Sequence, residues 1–123
     1  MKERELSSKA DLSESLARVL GWEYKDVHIR NLYENYVRMG WLDKAGQEHL
    51  LPDFKRDFSA VERYILPLLK KLDCESALFF RGGRWEAHIH SNPSQGKVRS
   101  FSSEAPYAAQ AMCEALLKAE AHD

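Results

Sequence analysis

No window of this sequence approaches the ~18 uncharged apolar residues of a membrane-spanning helix, and its opening, Met1-Lys2-Glu3-Arg4-Glu5, lacks the apolar stretch of a secretory leader. A cytoplasmic protein with no membrane partner is the expectation. Cysteine is scarce: Cys74 and Cys113 are the only two and lack CxxC spacing, so free thiols are expected in place of a disulfide framework. Charge of one sign is missing as well, with 18 Lys and Arg against 19 Asp and Glu. A chain with pI about 6.5 has no broad basic face with which to neutralise the phosphates of polymeric nucleic acid. Catalytic signatures are absent too. There is no P-loop, GxGxxG, HExxH or Ser-His-Asp order, and no helix follows Gly82-Gly83 to make it a phosphate cradle. These absences point to a non-enzymatic protein without a cofactor.

What is present describes a folded chain. Apolar residues make up 44% and charged residues 30% of 123 positions, too hydrophobic for disorder and too mixed for a coiled coil. A chain of this length buries roughly two-thirds of its unfolded surface and has room for one core. Residues 1–123 are therefore read as one domain, with 1–10 as a flexible N-terminus.

The patterning predicts these elements in order. Ser8 or Asp11 caps a helix with a Leu12, Leu16, Val19, Leu20 stripe that stops at Gly21. Ile29, Leu32, Tyr33, Tyr36 and Val37 follow helical spacing, predicting a second helix from Asp26 to Met39 that stops at Gly40. Asp43-Lys44-Ala45-Gly46 is a polar turn between Trp41-Leu42 and residues 47–51, a small hairpin. Leu51-Pro52-Asp53-Phe54 is extended, and Asp57 or Ser59 opens a helix that Pro67 kinks or breaks near Leu66. Residues 74–81 and 84–91 are strands joined by Gly82-Gly83, with Trp85, Ala87 and Ile89 on one face and Arg84, Glu86, His88 and His90 on the other. Asn92–Gly96 is a loop, Val98–Phe101 a third strand, and Ser103 the cap of a last helix with Pro106 in its first turn. Strands flanked by helices give an α+β fold, a small antiparallel meander covered by helices.

Several of these residues also carry a resemblance. Gly21-Trp22, Trp41-Leu42-Asp43-x-x-Gly46, Leu51-Pro52-Asp53-Phe54, Asp57-Phe58-Ser59-Ala60, the Trp85 hairpin and Glu104-Ala105-Pro106-Tyr107-Ala108 follow one another in an order that resembles the phage ABA sandwich domain family. The resemblance spans about Leu12 to Ala119. It implies an α-β-α sandwich, with helices on both faces of a small antiparallel sheet, and a phage or prophage origin in the host cytoplasm. It implies no catalytic residue. The predicted helix at 26–39 is longer than the connection expected of the family.

Charge is unevenly placed. Residues 76–103 carry Arg81, Arg84, Lys97 and Arg99 against Glu86 alone, with His88 and His90 beside them. Arginine binds phosphate bidentately, whereas the plainer reading is solvated strand residues that discourage edge pairing. Glu86, His88 and His90 lie on one strand face about 6.5–7 Å apart in succession. That set is short of the ligands zinc requires, and His28, His49 and His122 have no spacing that supplies another. Trp22 and Trp41 offer faces on which a base can stack, while Trp85 belongs to a core face.

Two functional expectations follow. In the first, a phage-type protein sequesters a small nucleotide-derived signalling molecule of host antiviral defence, such as an ADP-ribose conjugate or cyclic nucleotide. Arg81, Arg84 and Arg99 hold phosphates, His88 and His90 the ribose or phosphate edge, and Trp22 or Trp41 the base. In the second, the Ile29–Val37 stripe belongs to a protein-interaction module that blocks a host or phage protein, an argument that fails if the stripe is buried in the monomer. Either accommodates a homodimer or higher homo-oligomer.

Overall fold

A computed structural model describes residues 9–91 and 99–121, with side chains from Leu12 onward. The expectations for residues 1–8, the cap at Ser8, the 92–96 loop, Lys97, Val98 and His122 lie outside the described residues, whereas Lys9 and Ala10 are helical where a flexible N-terminus was expected and Asp11 lies inside that helix, not at its cap. Helix α1 (Lys9–Val19) is followed by β1 (Glu23–Arg30), β2 (Asn35–Leu42) and β3 (Glu48–His49). Helix α2 is α-helical over Phe58–Ala60, π-helical over Val61–Ile65 and α-helical again over Leu66–Lys71. Strands β4 (Cys74–Arg81), β5 (Arg84–Ser91) and β6 (Ser100–Ala105) precede α3 (Ala108–Ala121).

The class is α+β. The strands divide between two antiparallel three-stranded sheets, β1-β2-β3 and β4-β5-β6, where one meander was expected. The difference originates at residues 26–39, which form not a helix but most of a β-hairpin, with Glu23 opposite Leu42 and Arg30 opposite Asn35. The apolar positions that fit a helical stripe also alternate within each arm, and Val, Ile and Tyr favour the pleated surface. Asn31 decides between the two. Its side-chain oxygen accepts from the N–H groups of Tyr33 (2.8 Å) and Glu34 (2.7 Å), which fixes a turn in the middle of the expected helix.

At Gly21, the Asp43–Gly46 turn, Asp57 and Gly82-Gly83 local chemistry and structure agree. Gly21 (φ +89°) ends α1 in a Schellman motif, with Trp22 N–H on the Ala17 carbonyl and Gly21 N–H on that of Arg18. The Asp43–Gly46 turn joins β2 to β3, pairing Leu42 with Glu48 and Trp41 with His49. Asp57 caps α2 by accepting from Ser59 N–H at 3.0 Å. Pro67 does not break that helix. A π turn, in which Leu66 N–H reaches back to Val61 O, precedes it, and Pro67 sits in the first turn of the renewed α-helix where its missing N–H is tolerated. Gly82 and Gly83 (φ +62° and +77°) close the β4–β5 hairpin, as a primed two-residue turn requires. The third strand runs on to Ala105, so Ser103 does not cap the last helix. It lies in β6, its hydroxyl donates to Glu114 of α3 at 3.1 Å, and the first helical bond is instead from Ala111 N–H to Tyr107 O.

The main core lies between α1, α2, α3 and one face of β4-β5-β6. Phe54, Leu16, Ile65, Ile89, Met112 and Leu116 fill it. Small residues along α3 (Ala109, Ala111, Ala115) let that helix lie close over Ala87 and Ala105. Phe54 is anchored from both sides, since its N–H donates to the buried Ser13 hydroxyl at 3.2 Å and its carbonyl receives the Cys113 thiol at 3.6 Å. Both cysteines are free thiols. A second, smaller cluster of Ala17, Trp22 and Trp41 forms at the base of the first sheet, with Leu20 and Tyr64 in contact with both clusters.

Candidate functional site

The β4-β5-β6 register sets the geometry of the residues singled out for a ligand. Glu75 lies opposite His90, Ala77 opposite His88, Phe79 opposite Glu86 and Arg81 opposite Arg84. Ser100, Ser102 and Glu104 complete the rows from β6. Arg81, Arg84, His88 and His90 therefore do share one surface, the face turned away from the core. Three carboxylates share it with them. Arg81 pairs with Glu86 at 3.1 Å, Arg84 with Glu104 at 3.3 Å, His88 with Glu86 at 3.3 Å and His90 with Glu75 at 3.3 Å. Glu75 and Glu104 fall just outside the 76–103 stretch that is basic in sequence, and the pairing brings them onto it. Phe79 stands edge-on to His88 with centroids 5.6 Å apart, and the Arg81 guanidinium lies 5.9 Å from the Phe79 ring. The surface is a balanced polar lattice, not a free cationic patch. Among the described residues no group of three or more His, Cys, Asp or Glu side chains is arranged to hold a metal ion.

The other three residues are elsewhere. Arg99 adjoins β6 with its N–H on the Ser91 hydroxyl at 2.9 Å. It lines a cleft of about 320 Å³ with Leu69, Ile89, Phe101 and Leu116, on the helix-covered side of the sheet. Trp22 and Trp41 are only 6% and 7% exposed. One face of Trp22 is covered by the His49 ring at 4.4 Å and 8°, and Trp41 is flanked by Tyr24 at 5.2 Å and the Arg18 guanidinium at 5.4 Å. Neither indole presents an open face to a base, because each anchors the small cluster that seats the first sheet.

That cluster holds an arrangement the sequence reading missed. His49 Nε2 is 2.8 Å from the Asp43 carboxylate and its Nδ1 approaches the Tyr64 hydroxyl at 3.5 Å. The Asp43 carboxylate also accepts from the Ala45 and Gln47 N–H groups, both at 2.9 Å. The His49 bond, with those backbone donors, holds the Asp43 carboxyl below the usual aspartate range. With both ring nitrogens engaged and one face on Trp22, His49 ties β3 to α2. An aspartate opening a turn with a histidine six residues on was the available signal; Tyr64 came with none.

Beyond its base the β1–β2 hairpin is exposed on the Tyr24, Val37, Met39 face, while Val27 and Ile29 on the other face are half-buried. Tyr24, Val37 and Met39 lie on the face continued by Trp41, Val27, Ile29 and Tyr36 on the other, and Leu32 and Tyr33 form the tip at 93% and 92% exposure. Arg38 and Glu48 form a two-pronged ion pair near the base, closing over Gly40, where a Cβ would come within 3.0 Å of Val27. The hairpin is thus stiffened at the root and bare beyond it on the Val37, Met39 face and at the tip.

Compared with protein-family models, curated proteins and solved structures, the chain finds no match. No described helix is long and apolar enough to cross a membrane.

Proposed function

We propose that this protein is an interaction module whose β1–β2 hairpin is the arm that engages another protein. The observation that carries the reading is the row of apolar side chains left in water along that arm, ending in Leu32 and Tyr33. Contiguous exposed apolar surface marks interaction sites, and tyrosine is an enriched interface anchor. A two-stranded ribbon is marginal by itself and gains stability from a further strand or an opposing surface.

The test is capture of protein by three baits from cell lysate to which a tagged copy of this chain has been added. Wild-type and an Arg84→Ser, His88→Ala variant should retain one and the same protein, and a hairpin variant with Asp26→Pro, Leu32→Ser and Tyr33→Ser, altered at both its open edge and its tip, should lose it. Undiminished capture by the hairpin variant would refute the reading.

Sequestration of a nucleotide-derived signal, and with it a phage anti-defence role, is the second reading. It draws support from the shared surface of Arg81, Arg84, His88 and His90. A phosphate binding there would compete with the carboxylates that already pair with Arg81 and Arg84. A thermal-shift screen against ADP-ribose, NAD and cyclic nucleotides tests it directly, since a ligand at a hundredfold excess over its Kd adds about 2.7 kcal/mol.

A further inference from the structure

We infer that the partner of the hairpin arm is a second copy of this chain, joined edge to edge through β1 in antiparallel register about a two-fold axis at Val27. This rests on the interaction-module reading and specifies its partner. Strand β1 is an outer strand of its sheet, which runs β1-β2-β3. Along the hairpin, hydrogen-bonded and non-bonded pairs alternate. Asn31 N–H donates to Glu34 O at 2.9 Å, so the odd-numbered residues of β1 turn their N–H and C=O groups towards β2. Those of Tyr24, Asp26, His28 and Arg30 face the open edge. An eight-residue strand with four such residues is a template for strand addition.

A two-fold pairing of β1 with itself keeps each side chain on its own face and joins residues whose edge groups meet, so the two residue numbers in a pair have an even sum. Three registers give a useful ladder. One centred on Asp26 sets that carboxylate against its own copy, which is unfavourable. One centred on His28 sets imidazole against imidazole and shortens the ladder to Asp26–Arg30. The register centred on Val27 has neither fault. It places Asp26 opposite the copy's His28 and Tyr24 opposite the copy's Arg30, each twice by symmetry, on one face. Lys25 then lies opposite Ile29, and Val27 opposite Val27, on the other. An imidazole N–H donating to a carboxylate and a cation on an aromatic face are favourable cross-strand pairs. The charged side chains that would guard this edge against a foreign strand thus complement a second copy. The product is a continuous six-stranded sheet with an isologous interface.

The experiment uses the full chain. Light scattering should give the wild type twice its 14.2 kDa. Asp26→Pro should give the single mass with an unchanged circular dichroism spectrum, because the lost N–H faces the open edge and not β2. Val27 is a non-hydrogen-bonded pair at the axis, where Cα atoms lie about 4.5 Å apart, within disulfide reach. In a Cys74→Ser background, Val27→Cys should therefore cross-link to a covalent dimer under mild oxidation. Tyr24→Cys should not, whereas Tyr24→Cys combined with Arg30→Cys should. A monomeric wild type, a dimer that survives Asp26→Pro, or equal cross-linking at positions 24 and 27 would overturn the inference. A monomeric wild type whose lysate partner is still lost on combined Asp26→Pro, Leu32→Ser and Tyr33→Ser substitution would refute self-pairing alone and leave the module reading standing. Capture indifferent to the hairpin would remove that reading instead.

Discussion

Replacing Leu32 and Tyr33 together with serine should leave the fold almost untouched. The two side chains keep 93% and 92% of their surface in solvent, so less than a tenth of either is buried. An aromatic side chain buries about 200 Å² when fully enclosed, and ~25 cal/mol/Å² then assigns Tyr33 ~0.4 kcal/mol and Leu32 less. The turn itself is held by the Asn31 side chain, which the substitutions leave in place. The expected loss is below ~1 kcal/mol, against about 3–5 kcal/mol for Phe54→Ala in the closed core. Urea unfolding of both variants at one low protein concentration measures this, with an unchanged denaturant slope required for the comparison. A loss above ~1.5 kcal/mol for the hairpin variant would show that the tip is structural, and the case for an interaction arm would lose its basis.

Three further outcomes follow from the geometry. Asp43 has its carboxyl held below the usual range by His49 first and by backbone N–H groups second. Its contribution is therefore fully present above the ordinary aspartate value of about 3.9 and lost as pH falls through the lower folded value. Acid titration of stability should show a shallower decline in Asp43→Asn than in wild type, and superimposable curves would contradict the assignment. Gly83→Val forces a β-branched residue to φ +77°, so it should cost at least ~1–2 kcal/mol by thermal unfolding; a neutral result would mean the turn had changed type. Burial pushes the Cys113 thiol up while Cys74 is only half-buried, so a thiol reagent should modify Cys74 rapidly and Cys113 only on unfolding.

Much of the fold was legible because its signals are local. Gly21, the Asp43–Gly46 turn, the Asp57 cap and Gly82-Gly83 each act through their own backbone neighbourhood, and each is found where the chemistry puts it. The failures share a different cause. Residues 26–39 satisfy a helical stripe and two alternating arms at once, and the choice depended on one asparagine turn and on pairing between distant residues. Ser103 before Pro106 has the composition of a helix start, but pairing with β5 draws it into the sheet opposite Ala87. The surface chemistry was misjudged for the same reason, since charge counted along the chain omits Glu75 and Glu104, which register places among the arginines and histidines. The indole faces of Trp22 and Trp41 are taken up by His49, Arg18 and Tyr24, contacts that exist only once the hairpin is seated on α1 and α2.

Amide hydrogen exchange of the hairpin, followed from dilute to concentrated protein, tests the central claim most directly. The N–H groups of Lys25, Val27 and Ile29, bonded to β2, should exchange slowly throughout. Those of Tyr24, Asp26, His28 and Arg30 should pass from fast exchange in dilute protein to slow exchange as copies pair. Fast exchange of these four at every concentration would contradict pairing of this protein through the open edge of its hairpin.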